Sequence, residues 1–219
     1  MIVAAYFWQI EKKRIPFALS RMALNRRAVR NFPGVTFSKL LGCGTGERFT
    51  PSDADPLRWG ILVAIDENQI EAFDNSCFIS QWRKNSHSEF RALLSPISSH
   101  GQWSKREPFS LSAKSSVGPI VAITRARISF LGNFRFWKAV PPVTTSLHKS
   151  PGLISAIGIG EAPIGLQGTF SLWESAQALR DFAYKGEAHA QVIADTKKYQ
   201  WYSEELFARF AVLELRGSL

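Results

Sequence analysis

His189, Arg125 and Arg209 are the side chains of this chain whose type and setting could do chemistry. Written as a helix, 187–198 places His189, Val192, Ile193 and Thr196 at i, i+3, i+4 and i+7, with Gln191, Asp195 and Lys198 on the other side. His189 is therefore expected to point inward. A neutral inward imidazole can offer one ring nitrogen to a metal such as iron while the second nitrogen fixes the tautomer. A hydrogen-bonded core histidine is the plainer explanation of the same pattern.

The two arginines stand on strands. In 120–128 the positions Ile120, Ala122, Thr124, Ala126 and Ile128 share one face, leaving Val121, Ile123, Arg125 and Arg127 on the other. In 206–213, Leu206, Ala208, Phe210 and Val212 share a face opposite Phe207, Arg209, Ala211 and Leu213. An arginine among apolar neighbours is costly if dry and unpaired, so each implies an anionic ligand, a carboxylate partner or water. A strand-end arginine reaching solvent or a salt bridge explains both equally well. If two sheets face one another, this alternation makes the space between them a lined pocket.

The elements that must position these groups repeat. Strands are expected at Ile2–Ile10, 35–41, 58–65 and 90–96, with helices at 17–30, 70–73 and 78–86, and Phe17, Met22 and Val29 facing the core. Asp66 to Gln69 has capping-box spacing. The glycines at 42, 44 and 46 lack phosphate-loop spacing and read as a turn or a close backbone approach. The second half echoes the first: Ile120-Val-Ala-Ile123 parallels Ile2-Val-Ala-Ala5, a helix is expected at 131–140, Gly158 and Gly160 echo Gly42 and Gly44, and strands at 166–173 and 206–215 flank a helix that Ser175 can cap. The fold class is therefore α+β, with tandem ferredoxin-like β-α-β-β-α-β modules packed as a dimeric α/β-barrel-like unit. The expected divisions are an N-terminal scaffold module, 1–98, a Ser- and Lys-containing linker, 99–117, and a C-terminal module, 118–219, that holds the pocket.

Bulk properties limit the partners. The 219 residues are 45% hydrophobic and 12% aromatic, enough to bury a sizeable core. Cys43 and Cys77 have no metal-ligand spacing and are too few for a disulfide framework, which favours a reducing, cytoplasmic setting. No secretory leader or transmembrane-length apolar run is expected. The net charge is +9, and Lys12, Lys13, Arg14, Arg21, Arg26, Arg27 and Arg30 stand against Glu11 alone in the first thirty residues. Such a face suits an acidic protein or a peripheral membrane contact, and a solvated helix explains it too. No nucleic-acid motif accompanies it, so nucleic acid is not an expected partner.

At these residues the chain resembles the spheroidene monooxygenase family of carotenoid-modifying enzymes. The matching stretches are 39–51 (KLLGCGTGERFTP), 118–127 (GPIVAITRAR), Phe136-Trp137, 158–161 (GIGE), Phe170-Ser-Leu-Trp173, Phe182-Ala183, His189 and 204–210 (EELFARF). The resemblance implies a haem-dependent oxygenase that takes O2 and electrons from reduced ferredoxin and places keto groups on acyclic carotenoids such as spheroidene. It makes His189 the candidate proximal ligand of haem b iron. Arg125 and Arg209 become candidate catalytic and cofactor-binding residues, beside haem propionates or bound dioxygen, and Trp173, Phe182, Trp201 and Phe207 candidate walls for a polyene. Cys43 replaces the small residue expected there, often serine, so thiolate ligation is not implied. Haem chemistry of a dehydratase or peroxidase-like kind, a non-catalytic haem or apolar-ligand module, and a homo-oligomer stay open.

Overall fold

Ile2–Ile10 is apolar on both faces, and both faces are covered: every residue of this strand, β1, is buried except Gln9. In the computed structural model, which describes residues 1–45, 53–111, 117–128, 147–161, 168–185 and 202–219, β1 lies between two antiparallel neighbours. These are β3 (Ala54–Ile65) and β4 (Ser86–Gly101); β2 (Val35–Gly44) pairs with the far side of β3. Helix α1 (Ile15–Arg30) joins β1 to β2, while α2 (Ile70–Asp74) and α3 (Cys77–Asn85) join β3 to β4. The second half supplies β5 (Ile120–Ile128), β6 (Leu153–Gly160), β7 (Gly168–Trp173), α4 (Ala176–Lys185) and β8 (Tyr202–Arg216).

Each half orders its strands fourth, first, third, second, and the two sheets join edge to edge into one closed barrel, β1-β3-β2-β6-β7-β5-β8-β4. All eight pairings are antiparallel. Closure leaves no unpaired edge. The long seam is β4 with β8; the short one sets Gly42 opposite Gly160 and Gly44 opposite Gly158. Of the glycines expected to make a turn or a close backbone approach, Gly42 and Gly44 make the close approach, at this strand-to-strand seam, and Gly46 lies outside the described residues.

The lined pocket expected between the sheets is replaced by packed core. Val3, Ala5, Phe7, Leu62 and Phe90 from the first half meet Val121, Ile123, Ile157, Phe170, Leu206 and Phe210 from the second in one buried cluster. Phe7 and Phe170 touch edge to face at 5.1 Å. The cause is composition: both halves send large apolar residues inward, and such an interior packs as densely as an organic crystal.

The chain at Gln102–Leu111, expected as linker, also enters this core. Trp103 is 1% exposed, and Phe109 packs against Phe37 and Phe210 at 6.0 and 5.0 Å between ring centres. Gly101 turns the chain with φ +88°, a position where a Cβ would meet the Glu205 carbonyl oxygen at 2.1 Å. Outside the barrel, α1 to α3 bury Tyr6, Trp8, Trp59 and Trp82 against the first half; Tyr6 donates to Asp74, which also holds Arg91. The expected capping box at Asp66 makes no side-chain cap; a short 3-10 turn, Glu67–Gln69, precedes α2 instead.

Candidate functional site

The outer face of the second-half sheet differs from that of the first. Its register aligns three rows across β8, β5, β7 and β6: Ala211–Ile120–Trp173–Leu153, Arg209–Ala122–Ser171–Ala156, and Phe207–Thr124–Thr169–Gly158. Helix α4 covers the first row. Its Leu179 is buried with Ile120, Ala122 and Trp173, and the Phe182 ring sits 5.3 Å from that of Trp173. The helix starts where Ser175 Oγ accepts the Ala178 N–H at 3.1 Å, the cap expected from the sequence.

The other two rows carry small side chains, of which Ala122, Ser171 and Gly158 are buried, Ala122 together with Leu147 and Leu179, and Thr124, Thr169 and Ala156 are half-buried. Thr124 and Thr169 share a hydrogen bond between hydroxyls at 2.5 Å, and Ser171 Oγ donates to the Ala122 carbonyl at 3.3 Å and receives the Trp173 indole N–H at 2.9 Å. Phe207 and Arg209 rise at one side, both half-buried. The Arg209 Nε donates to Ser98 Oγ at 2.8 Å across the β4–β8 seam. Chemically, this is a sheet face of small side chains with half-buried Phe182, Phe207 and Arg209 around it.

Trp173, Phe182, Phe207 and Arg209 therefore share one face. Arg125 does not. It points into the barrel end, where it is 5% exposed, donates to Glu204 and reaches Glu161 at 3.2 Å. Trp103 lies between two cations there, with the Arg125 guanidinium 5.4 Å and the Lys39 ammonium 5.7 Å from its ring, and its indole N–H donates to Glu161 at 2.7 Å. Burial opposes ionisation of Glu161, but hydrogen bonds from Lys39 and Trp103 and the nearby charges of Lys39 and Arg125 outweigh it and hold the carboxyl below its usual range. Glu204 is likewise lowered: burial opposes it, and the N–H groups of Lys105 and Ser104 together with Arg125 prevail.

His189 and Trp201, with the helices expected at 131–140 and 187–198, lie outside the described residues. Cys43 is buried, and desolvation pushes its thiol well above the ordinary range, so it is no thiolate. Among the described residues no group of three His, Cys, Asp or Glu side chains could hold a bare metal ion. The hydroxyls of Thr124 and Thr169 in one row and Ser171 in the next carry no sequence signal that marks them out. Alternation groups those residues correctly, yet it does not say which face turns outward. Glu161 and Glu204 sit in stretches that carry the family resemblance, and an inward arginine calls for such carboxylates.

The chain matches no family model. It is 35% identical over 210 residues to the spheroidene monooxygenase of Rhodobacter capsulatus, covering 93% of this chain and 86% of that protein. Identity to the spheroidene monooxygenase of Cereibacter sphaeroides is 32% over 94% of this chain and 64% of that protein. For that of Rubrivivax gelatinosus it is 34% over 84% and 72%. Among solved structures, aldoxime dehydratase aligns with a TM-score of 0.60 at 9% identity over 96% of this chain and 81% of its own. Aldoxime dehydratase in complex with butyraldoxime gives 0.59 at 12%, over 97% and 80%. At such identities these structures speak for the fold alone.

Proposed function

Because the chain belongs to the spheroidene monooxygenase family, we propose that it is a carotenoid monooxygenase that places keto groups on acyclic carotenoids such as spheroidene, with haem b, O2 and electrons from reduced ferredoxin. The observation that carries this is identity above 30% across nearly the whole chain to three relatives bearing that name. Haem and ferredoxin follow from the family resemblance.

In this proposal a planar macrocycle would sit on the second-half outer face. Thr124 and Thr169, small and half-buried, would let a flat group approach the sheet, the half-buried Phe182 and Phe207 offer apolar contact, and Arg209 can meet a propionate, while Trp173, expected as a wall, is fully buried under α4 and backs Phe182 instead. In this proposal His189 would ligate the iron and Trp201 would contact the polyene; both lie outside the described residues. When bound, haem supplies the activation of dioxygen. The protein's share is to hold the polyene chain against the aromatic side chains, to keep water from the reacting carbon, and to present Arg209 as a fixed positive charge. Each round puts one oxygen atom of O2 at the carbon and reduces the other to water with two electrons, one from each of two reduced ferredoxins, and two protons from solvent. Two rounds at one carbon give a gem-diol, which loses water to the ketone.

Arg125 has a different place in this proposal: it ties the barrel end together through Glu161 and Glu204 and acts on the reaction only by holding β5. The test is product analysis with purified protein, haem, a reductant, air and an acyclic carotenoid. A carotenoid in which one methylene has become a carbonyl is the expected product. Unchanged carotenoid, or a product of dehydration with no oxygen added, overturns the proposal.

A further inference from the structure

Helix α1 carries a surface that the reading above does not use. Ala18, Met22, Asn25 and Val29 fasten it to the sheet, leaving Pro16, Leu19, Ala23, Leu24, Arg26, Arg27, Ala28 and Arg30 exposed. Leu19 is 46% and Leu24 64% exposed. With Lys12, Lys13 and Arg14 just before it and no acidic residue within it, the helix presents positive charge around two bare leucines. Among the described residues Glu11, paired with Lys13 at 2.6 Å, is the one carboxylate seen against this cluster, and Arg26, Arg27 and Arg30 have no ion pair. The helix packs over β2, the strand that makes the short seam with the second half.

We propose that α1 is the docking surface for an anionic lipid bilayer. Complementary charge selects the occupant: arginine and lysine heads seek phosphate, and their attraction is long enough in range to bring the protein to a charged surface. The leucines separate a bilayer from an acidic protein. Leu19 and Leu24 stand about 140° apart round the helix, so no single apolar pocket of a partner holds both, whereas each can lie beside headgroups at a fluid surface. An interfacial helix with cations and exposed apolar side chains is also what a water-insoluble polyene substrate would call for, although the docking stands on α1 alone and not on the reaction.

The experiment is co-sedimentation of the full chain with phosphatidylcholine vesicles, with and without phosphatidylglycerol, at low salt and at about 0.5 M salt, where the screening length shrinks to a few ångström. The wild type is expected to sediment with phosphatidylglycerol vesicles at low salt and to be released by high salt. Each of Arg26→Gln, Arg27→Gln and Arg30→Gln should weaken binding about fivefold, and the triple variant on the order of 100-fold. Leu19→Gln with Leu24→Gln should weaken binding while its salt dependence persists. These positions are exposed, so the variants keep the wild-type melting curve, which checks their folding. Equal binding to neutral and anionic vesicles, or a triple variant that binds like wild type, overturns the proposal. So does a wild type that ignores vesicles but is retained on an immobilised acidic ferredoxin. The readout needs neither haem nor carotenoid, so failure here leaves the oxygenase reading untouched, and failure of that reading leaves this result standing.

Discussion

Arg125 and Arg209 look alike in the sequence and occupy different worlds in the fold, so replacing each by glutamine should give two distinct defects. The Arg125 side chain is 4% exposed and bridges Glu161 and Glu204, themselves 33% and 9% exposed. Removing one partner of a buried ion pair costs about 3–5 kcal/mol, because the carboxylate left behind stays desolvated. Glu161 keeps Lys39 at 2.6 Å, and Glu204 keeps the N–H groups of Ser104 and Lys105, so the lower end applies, about 3 kcal/mol. In a chain of this length that lowers Tm by roughly 6–12 °C. Arg209 is half-buried, and its Nε bond to Ser98 is the contact described, so Arg209→Gln should cost about 1 kcal/mol, or roughly 2–4 °C. Thermal melts followed by far-UV circular dichroism read both, and haem titration reads the complementary effect. Arg125→Gln should melt early but bind haem normally once folded, whereas Arg209→Gln should melt near wild type and bind haem more weakly. An Arg125→Gln protein melting within about 2 °C of wild type, or an Arg209→Gln protein with the larger loss, would refute the assignment of the two faces.

Glu161 adds a pH signature. Its folded pKa is depressed, so the stability it contributes is fully present above the unfolded carboxylate value, about 4.3, and is lost as pH falls through the lower folded value. Glu161→Gln should therefore melt below wild type at pH 7, with the gap narrowing in acid below about pH 4; a gap constant from pH 7 to acid would contradict this. The thiols offer a check on packing. Cys77 is exposed and Cys43 buried, so a thiol reagent should modify one group rapidly in the native protein and the second only on unfolding. Two rapid thiols would mean that the barrel interior is open.

Much of the fold is legible in the sequence because its elements carry strong local signals. β1 has the expected bounds, Ile2–Ile10, since all of its residues but Gln9 are apolar or aromatic and a charged run begins at Glu11. The two-fold repeat is legible for the same reason, and closure of the barrel follows once both halves present edges of matching length. Less legible is which face of each strand turns inward. Alternation groups Phe207 with Arg209 and sets Arg125 apart from Thr124, yet only the packing of Val121 and Ile123 against Phe7 and Phe170 shows that Arg125 faces the core and Arg209 the outside. The stretch after Gly101 is obscure for another reason. Its Ser, Lys and Gly content reads as linker, while the two aromatic residues that matter, Trp103 and Phe109, act through contacts distant in sequence: Glu161, Phe37 and Phe210. Ser104 and Lys105, at φ 57° and 60°, adopt a conformation that their residue types give no reason to expect.

The claim that the outer face of the second half is the working surface is tested most directly by a haem titration of the purified chain, followed in the Soret region, for wild type, His189→Ala and Thr124→Trp. Wild type should take up one haem and give a histidine-ligated spectrum. His189→Ala should lose that ligation, and Thr124→Trp, which raises a bulky ring from the middle of this face, should lose haem uptake while keeping its far-UV spectrum. A wild type that binds no haem, or a Thr124→Trp protein that binds it as wild type does, would contradict the account.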